Sequence, residues 1–384
     1  MYSKRILISL ICAFLFFKGI AQTDDKPATI EAHSLGLFNS AQWKALLIYG
    51  KEKIAAGNDD GLLRMRVGYA AFMLGNYSQS LIQYKRVFDE DPENNVALYY
   101  VYLNNLYLNN LTAAKYYAQK LPEEMKVSEK IKGTKLSGIQ FEFSNKMPDD
   151  TARRNAQYVR AGINVDLGYR FQLQQSLAYY TLLVNTTAGN KVVYQRLQQP
   201  EYYAKLVYAA TDRLSLIGAY HFIRDQFPDR AFYNNIVLGG IKYTSPYFSV
   251  QANGSFTKFI SNYSQIDGIV TVYPLGNLNL YSISRGSFGT QTNFAQVLGA
   301  KVVKGLWLEG NMTVGEATYL FENDALYVKN DSDPLLFRCG GSMYSMLSKK
   351  LLLSLNYTFE QKRKYLTTNN FYQHSINGGL SWKF

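Results

Sequence analysis

The 384-residue chain contains few of the residues on which catalytic and metal sites most often depend. It has 2 cysteines, 3 histidines and 3 tryptophans. Two cysteines exclude a disulfide-rich scaffold and a zinc module with cysteine ligands. Three histidines leave little room for a histidine-rich metal site, and we therefore expect no cofactor.

The chain also lacks long hydrophobic runs and carries little charge. Charged residues make up 18% of it, and no apolar stretch reaches the roughly 20 residues that a transmembrane helix needs. This excludes a polytopic helical membrane protein. A hydrophobic content of 47% excludes wholesale disorder. No glycine-rich phosphate loop follows a predicted strand, so nucleotide chemistry has no support.

Aromatic residues, by contrast, are abundant. Tyrosine and phenylalanine number 32 and 22, and aromatic residues reach 15% of the chain. This composition is typical of a transmembrane β-barrel, whose strands alternate between lipid and lumen so that their mean hydropathy stays near zero.

The first residues have the pattern of a secretory signal peptide. Lys4 and Arg5 precede the apolar run 6–17, and the small residue Ala21 precedes the expected cleavage site. The pattern predicts a signal peptide over residues 1–21.

A lipoprotein signal on Cys12 is the alternative interpretation of this segment. Such a signal has a small residue before the cysteine, whereas Ile11 stands there. Cleavage after residue 21 removes Cys12 and leaves Cys339 alone, so we expect no intrachain disulfide in the mature chain.

The formal net charge of +12 is unevenly distributed. Basic and acidic residues are equal in number over residues 23–134, so the positive excess of the mature chain falls in residues 135–384. A strongly basic protein is often a nucleic-acid binder. Secretion and the strand pattern described below argue against that, and we expect no nucleic-acid partner.

Residues 28–132 have helical spacing and a weak internal repeat. Gly75 and Tyr77 belong to a turn between two amphipathic segments, and the positions one repeat before and one repeat after it have similar turns. The repeat length of about 34 residues, with a helix–turn–helix in each copy, is that of tetratricopeptide repeats. The period predicts two full repeats and a partial one before them.

The middle copy resembles the tetratricopeptide family at three positions. Gly68 fits the small residue where the two helices of a repeat meet, Tyr84 fits the aromatic residue of the second helix, and Pro92 fits the proline that closes the repeat. Such residues fill the seam between stacked helices. Stacked repeats also leave a concave surface that binds extended peptides or partner domains, so we expect a periplasmic protein partner.

From residue 135 onward the hydrophobic period changes to two. In 159–170 and 351–360 apolar residues occupy one parity and mostly polar or small residues the other, which a half-buried strand requires. Short turns alternate with longer polar stretches such as 319–333, the layout of an outer-membrane barrel with short periplasmic turns and longer outer loops. The segments predict about 12–14 strands over 135–384, the lower number applying if the first pair is not part of the wall.

The last residues carry the most specific signal. Trp382 and the terminal Phe384 end a run of aromatic and apolar residues of one parity. This ending resembles the sorting signal of bacterial outer-membrane proteins, which implies the barrel-assembly machinery as a partner.

Taken in order, signal peptide, repeats, barrel and terminal Phe384 resemble the architecture of YaiO-like outer-membrane β-barrel proteins. The order resembles more loosely the exopolysaccharide-export porins, which carry longer repeat arrays. The implied fold class is α+β and multidomain, with a short periplasmic α-helical repeat array followed by an antiparallel transmembrane β-barrel. The implied location is the outer membrane of a Gram-negative bacterium, in contact with its lipid.

The histidines offer little support for an enzyme. His33 precedes the barrel, His221 has the parity of the lumen, and His374 has the parity of the lipid face. A catalytic triad needs a nucleophile and an acid within hydrogen-bond reach of one of them, and the flanking positions predict none. We therefore expect no enzymatic activity. An outer-membrane enzyme acting on lipid or peptide is the alternative.

Acidic residues cluster in the predicted outer loop 319–333, where they are Glu322, Asp324, Asp331 and Asp333. Calcium takes oxygen ligands of this kind. The central glycine and the terminal bidentate glutamate of a calcium loop are missing, so we expect no metal site.

Parity places a set of charged residues on the lumen side of the barrel. The basic members are Arg160, Lys205, Lys242, Lys301 and Arg338, and the acidic members are Asp166, Glu309 and Glu360. Charge of one sign biases which ions enter a pore, so an open lumen would be weakly anion-selective. The alternative is that these residues pair across the lumen as a structural ladder.

The functional hypothesis from the sequence is a barrel whose periplasmic repeats recruit a partner or cargo. A pore for a solute or polymer extends this hypothesis. A purely structural barrel with a filled lumen is the remaining non-enzymatic alternative.

We predict that the mature protein migrates differently on gels before and after boiling, because a closed barrel resists unfolding by detergent. Deleting Phe384 should reduce the fraction that assembles in the outer membrane, measured as the heat-modifiable band in membrane fractions. Normal assembly without Phe384 would remove the sorting role assigned to it.

Overall fold

Helices form the first part of the chain and a closed antiparallel barrel forms the second. The computed structural model describes residues 27–188, 191–258 and 262–384, and the predicted signal peptide over residues 1–21 lies outside them. The expected fold class is confirmed, with 14 strands in the ring. Within the described ranges, no helix combines the length and apolar character needed to cross a bilayer.

From residue 27 onward, where the description of the chain begins, the helical part is built from three similar pairs and a short last helix. The helices are α1 (Pro27–Asn39), α2 (Trp43–Ala55), α3 (Gly61–Met73), α4 (Tyr77–Glu90), α5 (Asn95–Tyr107), α6 (Leu111–Ala118) and α7 (Glu123–Ser128). The pairs begin at Pro27, Gly61 and Asn95, which are evenly spaced along the chain by one repeat length.

The turn inside each pair has the same backbone conformation. Ala41, Gly75 and Asn109, which have the same even spacing, have φ values of 54°, 73° and 58°. The first copy is therefore a complete helix pair, whereas the sequence predicted a partial one. The sequence signal was weak there because alanine occupies a left-handed position that usually favours glycine.

Two residues assigned to the repeat motif, Gly68 and Tyr84, contact each other between α3 and α4. A Cβ atom at Gly68 would lie 2.9 Å from the ring of Tyr84. Tyr84 is 2% exposed and stacks on Tyr100 with ring centroids 4.5 Å apart. Tyr77 begins α4 after the Gly75 turn. Pro92 follows the end of α4 and is exposed.

The barrel strands follow one another around the ring. They are β1 (Lys135–Pro148), β2 (Arg153–Leu167), β3 (Phe171–Ala188), β4 (Lys191–Ala209), β5 (Leu214–Gln226), β6 (Ala231–Thr244), β7 (Phe248–Lys258), β8 (Asn262–Val272), β9 (Leu280–Gly289), β10 (Thr292–Val303), β11 (Leu306–Glu322), β12 (Tyr327–Met346), β13 (Leu351–Arg363) and β14 (Asn370–Lys383). The ring closes where β1 pairs with β14, from Gly138 opposite Lys383 to Pro148 opposite Gln373.

The outer surface of the barrel is apolar. Leu177, Ile266 and Leu298 are 66%, 63% and 60% exposed there. Aromatic rings stack between neighbouring strands near both ends of the wall, as in the pairs Phe171–Tyr208, Phe222–Tyr233 and Phe359–Tyr372. An apolar band flanked by aromatic residues is the surface of a barrel that spans a lipid bilayer.

The turn between α3 and α4 docks on two short turns of the barrel. The backbone N–H of Ser78 donates to the carbonyl of Gly276 at 3.0 Å, and the Ser78 hydroxyl donates to the carbonyl of Pro246. The side chain of Asn277 donates to the carbonyl of Gly75 at 2.9 Å. The end of the barrel that receives the helices is called the proximal end below, and the other the distal end.

Helix α6 makes a second contact with the proximal end. Lys115 forms an ion pair with Asp166 at the end of β2, and the Tyr117 hydroxyl donates to the Asp212 carboxylate at 2.5 Å. Burial, followed by the hydrogen bond to Asp212, raises the pKa of Tyr117, so this phenol keeps its proton and remains a donor. The helices are thus fixed to the rim at two separate places.

We predict that Gly68→Ala destabilises the helical part by about 1–3 kcal/mol, because the new methyl group meets the Tyr84 ring. Gly36→Ala is the matched control, since Gly36 lies in α1 with no atom near its Cβ position. The measurement is thermal unfolding of the full protein followed by circular dichroism in the far ultraviolet. A loss of stability in both variants, or in neither, would contradict the packing role of Gly68.

Candidate functional site

A two-stranded hairpin leaves the barrel wall between β11 and β12. Strand β10 pairs with β11 as far as Val314, and β13 pairs with β12 from Leu335 onward. Between Val314 and Leu335, the end of β11 and the start of β12 pair only with each other, from Tyr319 opposite Asn330 to Glu322 opposite Tyr327. We call residues 316–334 the inner hairpin.

The hairpin departs from the wall at Gly315. This residue has a φ of 117°, and a Cβ atom on it would collide with the carbonyl oxygen of Thr292 on β10. Both the backbone conformation and the close approach of a second strand require glycine here. Gly315 therefore allows β11 to bend out of the ring.

The inner hairpin lies inside the lumen, whereas the sequence predicted an outer loop over 319–333. Ala317, Leu320 and Phe321 are each 1% exposed or less. Phe321 and Ala325 pack with lumen-facing residues of β4, β5, β6 and β8, which are Tyr203, Ile217, Ala219, Ile223, Ile236, Leu238 and Tyr263. The prediction was wrong because these apolar partners are remote in sequence and cover what looks locally like a polar loop.

Side chains of β8 satisfy the open edge of the hairpin backbone. Gln265 is 1% exposed, and its amide donates to the Phe321 carbonyl at 2.8 Å and accepts from the Phe321 N–H at 3.1 Å. The Tyr263 hydroxyl donates to the Tyr319 carbonyl at 3.0 Å. The wall thereby replaces the strand that the edge of the hairpin lacks.

The tip of the hairpin reaches the wall opposite β11 and β12. The Asp324 carboxylate accepts from Lys205 at 3.1 Å, from Gln251 at 2.6 Å and from Asn253 at 3.2 Å. The Tyr203 hydroxyl donates to the Asp324 carbonyl at 2.9 Å. The tip residues Asn323, Asp324 and Ala325 all have positive φ, which makes the turn tight enough to fit inside the ring.

The buried histidine of the lumen also contacts the hairpin tip. His221 is 1% exposed, with Nδ1 2.7 Å from the Ala325 carbonyl and Nε2 3.2 Å from the Glu201 carboxylate. His374 lies on the lipid face with Nδ1 2.7 Å from the Tyr357 hydroxyl, and the ring of His33 lies 4.5 Å from that of Tyr49 in the helices. Through these contacts His221 meets a carbonyl and a carboxylate, His374 meets a phenol and His33 meets an aromatic ring.

Ion pairs hold the sides of the hairpin. Arg338 donates to Glu322 at 2.7 Å and to Glu360 at 2.8 Å, and Arg285 donates to Glu322 at 2.8 Å. Glu322 belongs to the hairpin, while the other three residues lie on the wall. Arg338 and Glu360 were assigned to the lumen from parity, and the structure brings them together.

A second group of contacts lies on β1 and β2. Arg160 donates to the Glu142 carboxylate at 2.7 Å, and the Tyr327 hydroxyl of the hairpin donates to the same oxygen at 2.7 Å. The lumen charges predicted from the sequence do not include Glu142, although its alternation with Phe141 and Phe143 indicates the lumen side. Glu142 pairs with Arg160 and Glu322 pairs with Arg338 and Arg285, which is the kind of pairing that a cross-lumen ladder requires.

The remaining predicted lumen charges lie apart from the hairpin sides. Lys242 is within electrostatic reach of Asp324, and the Lys301 ammonium lies 5.3 Å from the Trp307 ring. Glu309 accepts from the Tyr281 hydroxyl. Asp166 is paired with Lys115 of α6, as described above. Only part of the predicted set therefore belongs to one network.

A cluster at the distal end anchors the base of the hairpin. Arg153 of β2 donates to the Asp333 carboxylate at 2.5 and 2.6 Å and also to Asp150. Lys364 donates to Asp150 at 2.9 Å. Asp150 and Arg153 lie three residues apart in one turn, whereas Asp333 and Lys364 come from two other parts of the chain, so no local pattern in the sequence links all four.

We predict that Glu322→Gln loosens the inner hairpin, because it removes the charge shared by Arg285 and Arg338. Leaving one side of a buried pair uncompensated costs about 3–5 kcal/mol. Amide hydrogen exchange of residues 316–334 should therefore accelerate by at least about tenfold. Glu316→Gln is the control, since Glu316 pairs with Arg363 at a more exposed position. Equal exchange in the two variants would show that the buried pairs do not hold the hairpin.

The barrel is similar to several solved outer-membrane barrels. A Pseudomonas aeruginosa FadL homologue has a TM-score of 0.44 and 8% identity, with 65% of this chain and 90% of that chain covered. The P. putida toluene transporter TodX has a TM-score of 0.42 and 9% identity, with 65% and 90% covered. A bacterial polysaccharide outer membrane secretin has a TM-score of 0.41 and 9% identity, with 65% and 98% covered. No family model and no curated protein matches this chain. The likeness is one of barrel fold alone.

Proposed function

We propose that this protein is an outer-membrane channel whose lumen is held closed by the inner hairpin. The observation that carries the proposal is the position of residues 316–334, which contact β1, β2, β4, β5, β7, β8 and β9 from inside the ring. A solute passes when the hairpin moves away from these strands.

The chemistry of the contacts supports a movable hairpin. Many of them are ion pairs and side-chain hydrogen bonds, as at Asp324, Glu322 and Tyr327. A buried ion pair adds little net stability compared with apolar packing of similar volume. Water that enters the lumen can replace these polar contacts, whereas the wall is held by continuous backbone pairing around the ring.

The helices suit a second role on the periplasmic side. The docking contacts described above come from the α3–α4 turn and from α6, and α1 and α2 precede these elements in the array. Aromatic rings form a connected row from Phe38 and Trp43 through Tyr69 to Tyr100. We propose that this array, periplasmic and tetratricopeptide-like, recruits a protein partner to the barrel.

A structural barrel with a permanently filled lumen is the second candidate function. The chain of ion pairs from Arg285 through Glu322 and Arg338 to Glu360 favours it, since the hairpin is tied to several strands at once. The two candidates differ in whether removal of the hairpin creates a conducting path.

We expect that replacing residues 316–334 by a short turn raises single-channel conductance in planar bilayers well above that of the unchanged protein. The physical reason is that a ring of this strand number leaves space that side chains of the wall do not fill. Substituting glycines at residues 228–229, in another distal turn, is the matched control and should leave conductance unchanged.

Two results would contradict the proposed function. A hairpin-replaced barrel that folds, as shown by heat-dependent migration, but does not conduct would favour the filled structural barrel. An unchanged protein that already conducts as well as the variant would show that the hairpin does not close the lumen.

A further inference from the structure

We propose that the wall residues around Asp324 form a binding site for the carboxylate of an organic anion with an apolar group, and that Asp324 occupies this site as an internal stand-in. The proposal deepens the channel function proposed above, since it names the class of solute that the lumen recognises. We call the four residues Lys205, Lys242, Gln251 and Asn253 the cradle.

The cradle presents donors to both oxygens of one carboxylate. Lys205 donates to Oδ2 of Asp324 at 3.1 Å, while Gln251 and Asn253 donate to Oδ1 at 2.6 and 3.2 Å. The ammonium of Lys242 adds a second positive charge within electrostatic reach. Ammonium and amide N–H groups around both oxygens are the chemistry that recognises a carboxylate.

The wall is shaped to hold the cradle in place. The side chain of Asn253 occupies the space where a Cβ atom of Gly240 would lie. Gln251 donates from its amide to Asn253 Oδ1 at 3.0 Å, which orients the Asn253 amide toward Asp324. The donors are therefore positioned by strands β6 and β7 as well as by the hairpin.

The charges of the cradle favour an anion once the hairpin moves. Lys205 on β4 and Lys242 on β6 repel each other electrostatically, and a negative charge near both lysines relieves this repulsion. The carboxylate of the nearby Asp267 is held by other wall residues, since it accepts from Gln265 at 2.8 Å and from Ser287 at 2.6 Å. When Asp324 leaves with the hairpin, the cradle becomes a positively charged site inside a low-dielectric wall.

An apolar wall adjoins the cradle. In the strand register Lys205 lies opposite Ala219, and Ala219 lies opposite Leu238. With Ile217 and Ile236 these residues line the lumen, and Phe321 of the hairpin covers them in the closed state. Exposing this surface to water is unfavourable, so a solute that replaces the hairpin gains most if it carries an apolar group beside its carboxylate.

The hairpin itself carries the two groups expected in the ligand, an apolar group and a carboxylate. The aromatic ring of Phe321 lies on the apolar wall, and the carboxylate of Asp324 lies in the cradle. A small aromatic or aliphatic carboxylate reproduces both features in one molecule. Phenylacetate is therefore a suitable probe, with phenylacetamide lacking the charge and acetate lacking the apolar group.

The direct test measures binding of the three probes to the hairpin-replaced barrel in detergent by isothermal titration calorimetry. We expect phenylacetate to bind at least tenfold more tightly than phenylacetamide or acetate. Lys205→Gln in the same barrel should weaken phenylacetate binding by at least tenfold. Lys301→Gln is the matched control, since Lys301 lies over Trp307, and it should leave binding unchanged.

A second variant keeps the hairpin and changes only its stand-in carboxylate. Asp324→Asn in the full protein retains the side-chain shape but weakens the contact with Lys205, so phenylacetate should compete better for the cradle than in the unchanged protein. Heat-dependent migration establishes that each variant is folded.

Three results would overturn the proposed site. Equal binding of phenylacetamide would show an apolar pocket without charge recognition, and equal binding of acetate would show simple attraction of anions. Unchanged phenylacetate binding in Lys205→Gln would place the ligand elsewhere. Binding and conductance are measured separately, so a hairpin-replaced barrel that conducts but fails to bind phenylacetate removes the site and leaves the channel. A barrel that binds phenylacetate selectively without conducting supports the site and removes the channel.

Discussion

Closure of the barrel between β1 and β14 is the constraint on which the rest of the structure depends. A wall in lipid has to satisfy its own backbone polar groups, and a closed antiparallel ring does so. A ring of 14 strands also encloses more space than the side chains of its wall fill. The inner hairpin fills that space with a segment of the same chain.

The hairpin can enter the lumen because its polar groups find partners there. Its backbone edge is satisfied by Gln265 and Tyr263, and its acidic side chains meet Arg285, Arg338 and Lys205. A hairpin with unpaired carbonyls or carboxylates would be too costly to bury. In the proposed channel, the same polar character lets water and solute replace the contacts of the hairpin, which a wholly apolar filling would not allow.

The helices depend on the barrel for their position. Ser78 and Asn277 fix the α3–α4 turn, and Lys115 and Tyr117 fix α6 on the same rim. In the function proposed above, a partner bound to the array is held close to the proximal mouth by these contacts. The proposed recruitment on the helices and the proposed passage through the lumen therefore require no change in the wall.

The sequence by itself determined the elements and the direction of most side chains, because these follow from local periodicity. Alternation placed Arg160, Arg338 and Glu360 inside, and the period of the helical repeats placed Gly68 against its neighbouring helix. Glu142 also has the parity of the lumen side, but the sequence prediction omits it, and its ion pair with Arg160 is seen only in the structure.

Only the tertiary structure decided where residues 316–334 lie. Asp324 meets Lys205 across 119 positions of the chain, and the Arg153–Asp333 pair spans 180. The local sequence of a polar loop that faces water is similar to that of a polar loop with partners across a closed ring. The difference lies in remote residues, which come close to the loop only once the ring has formed.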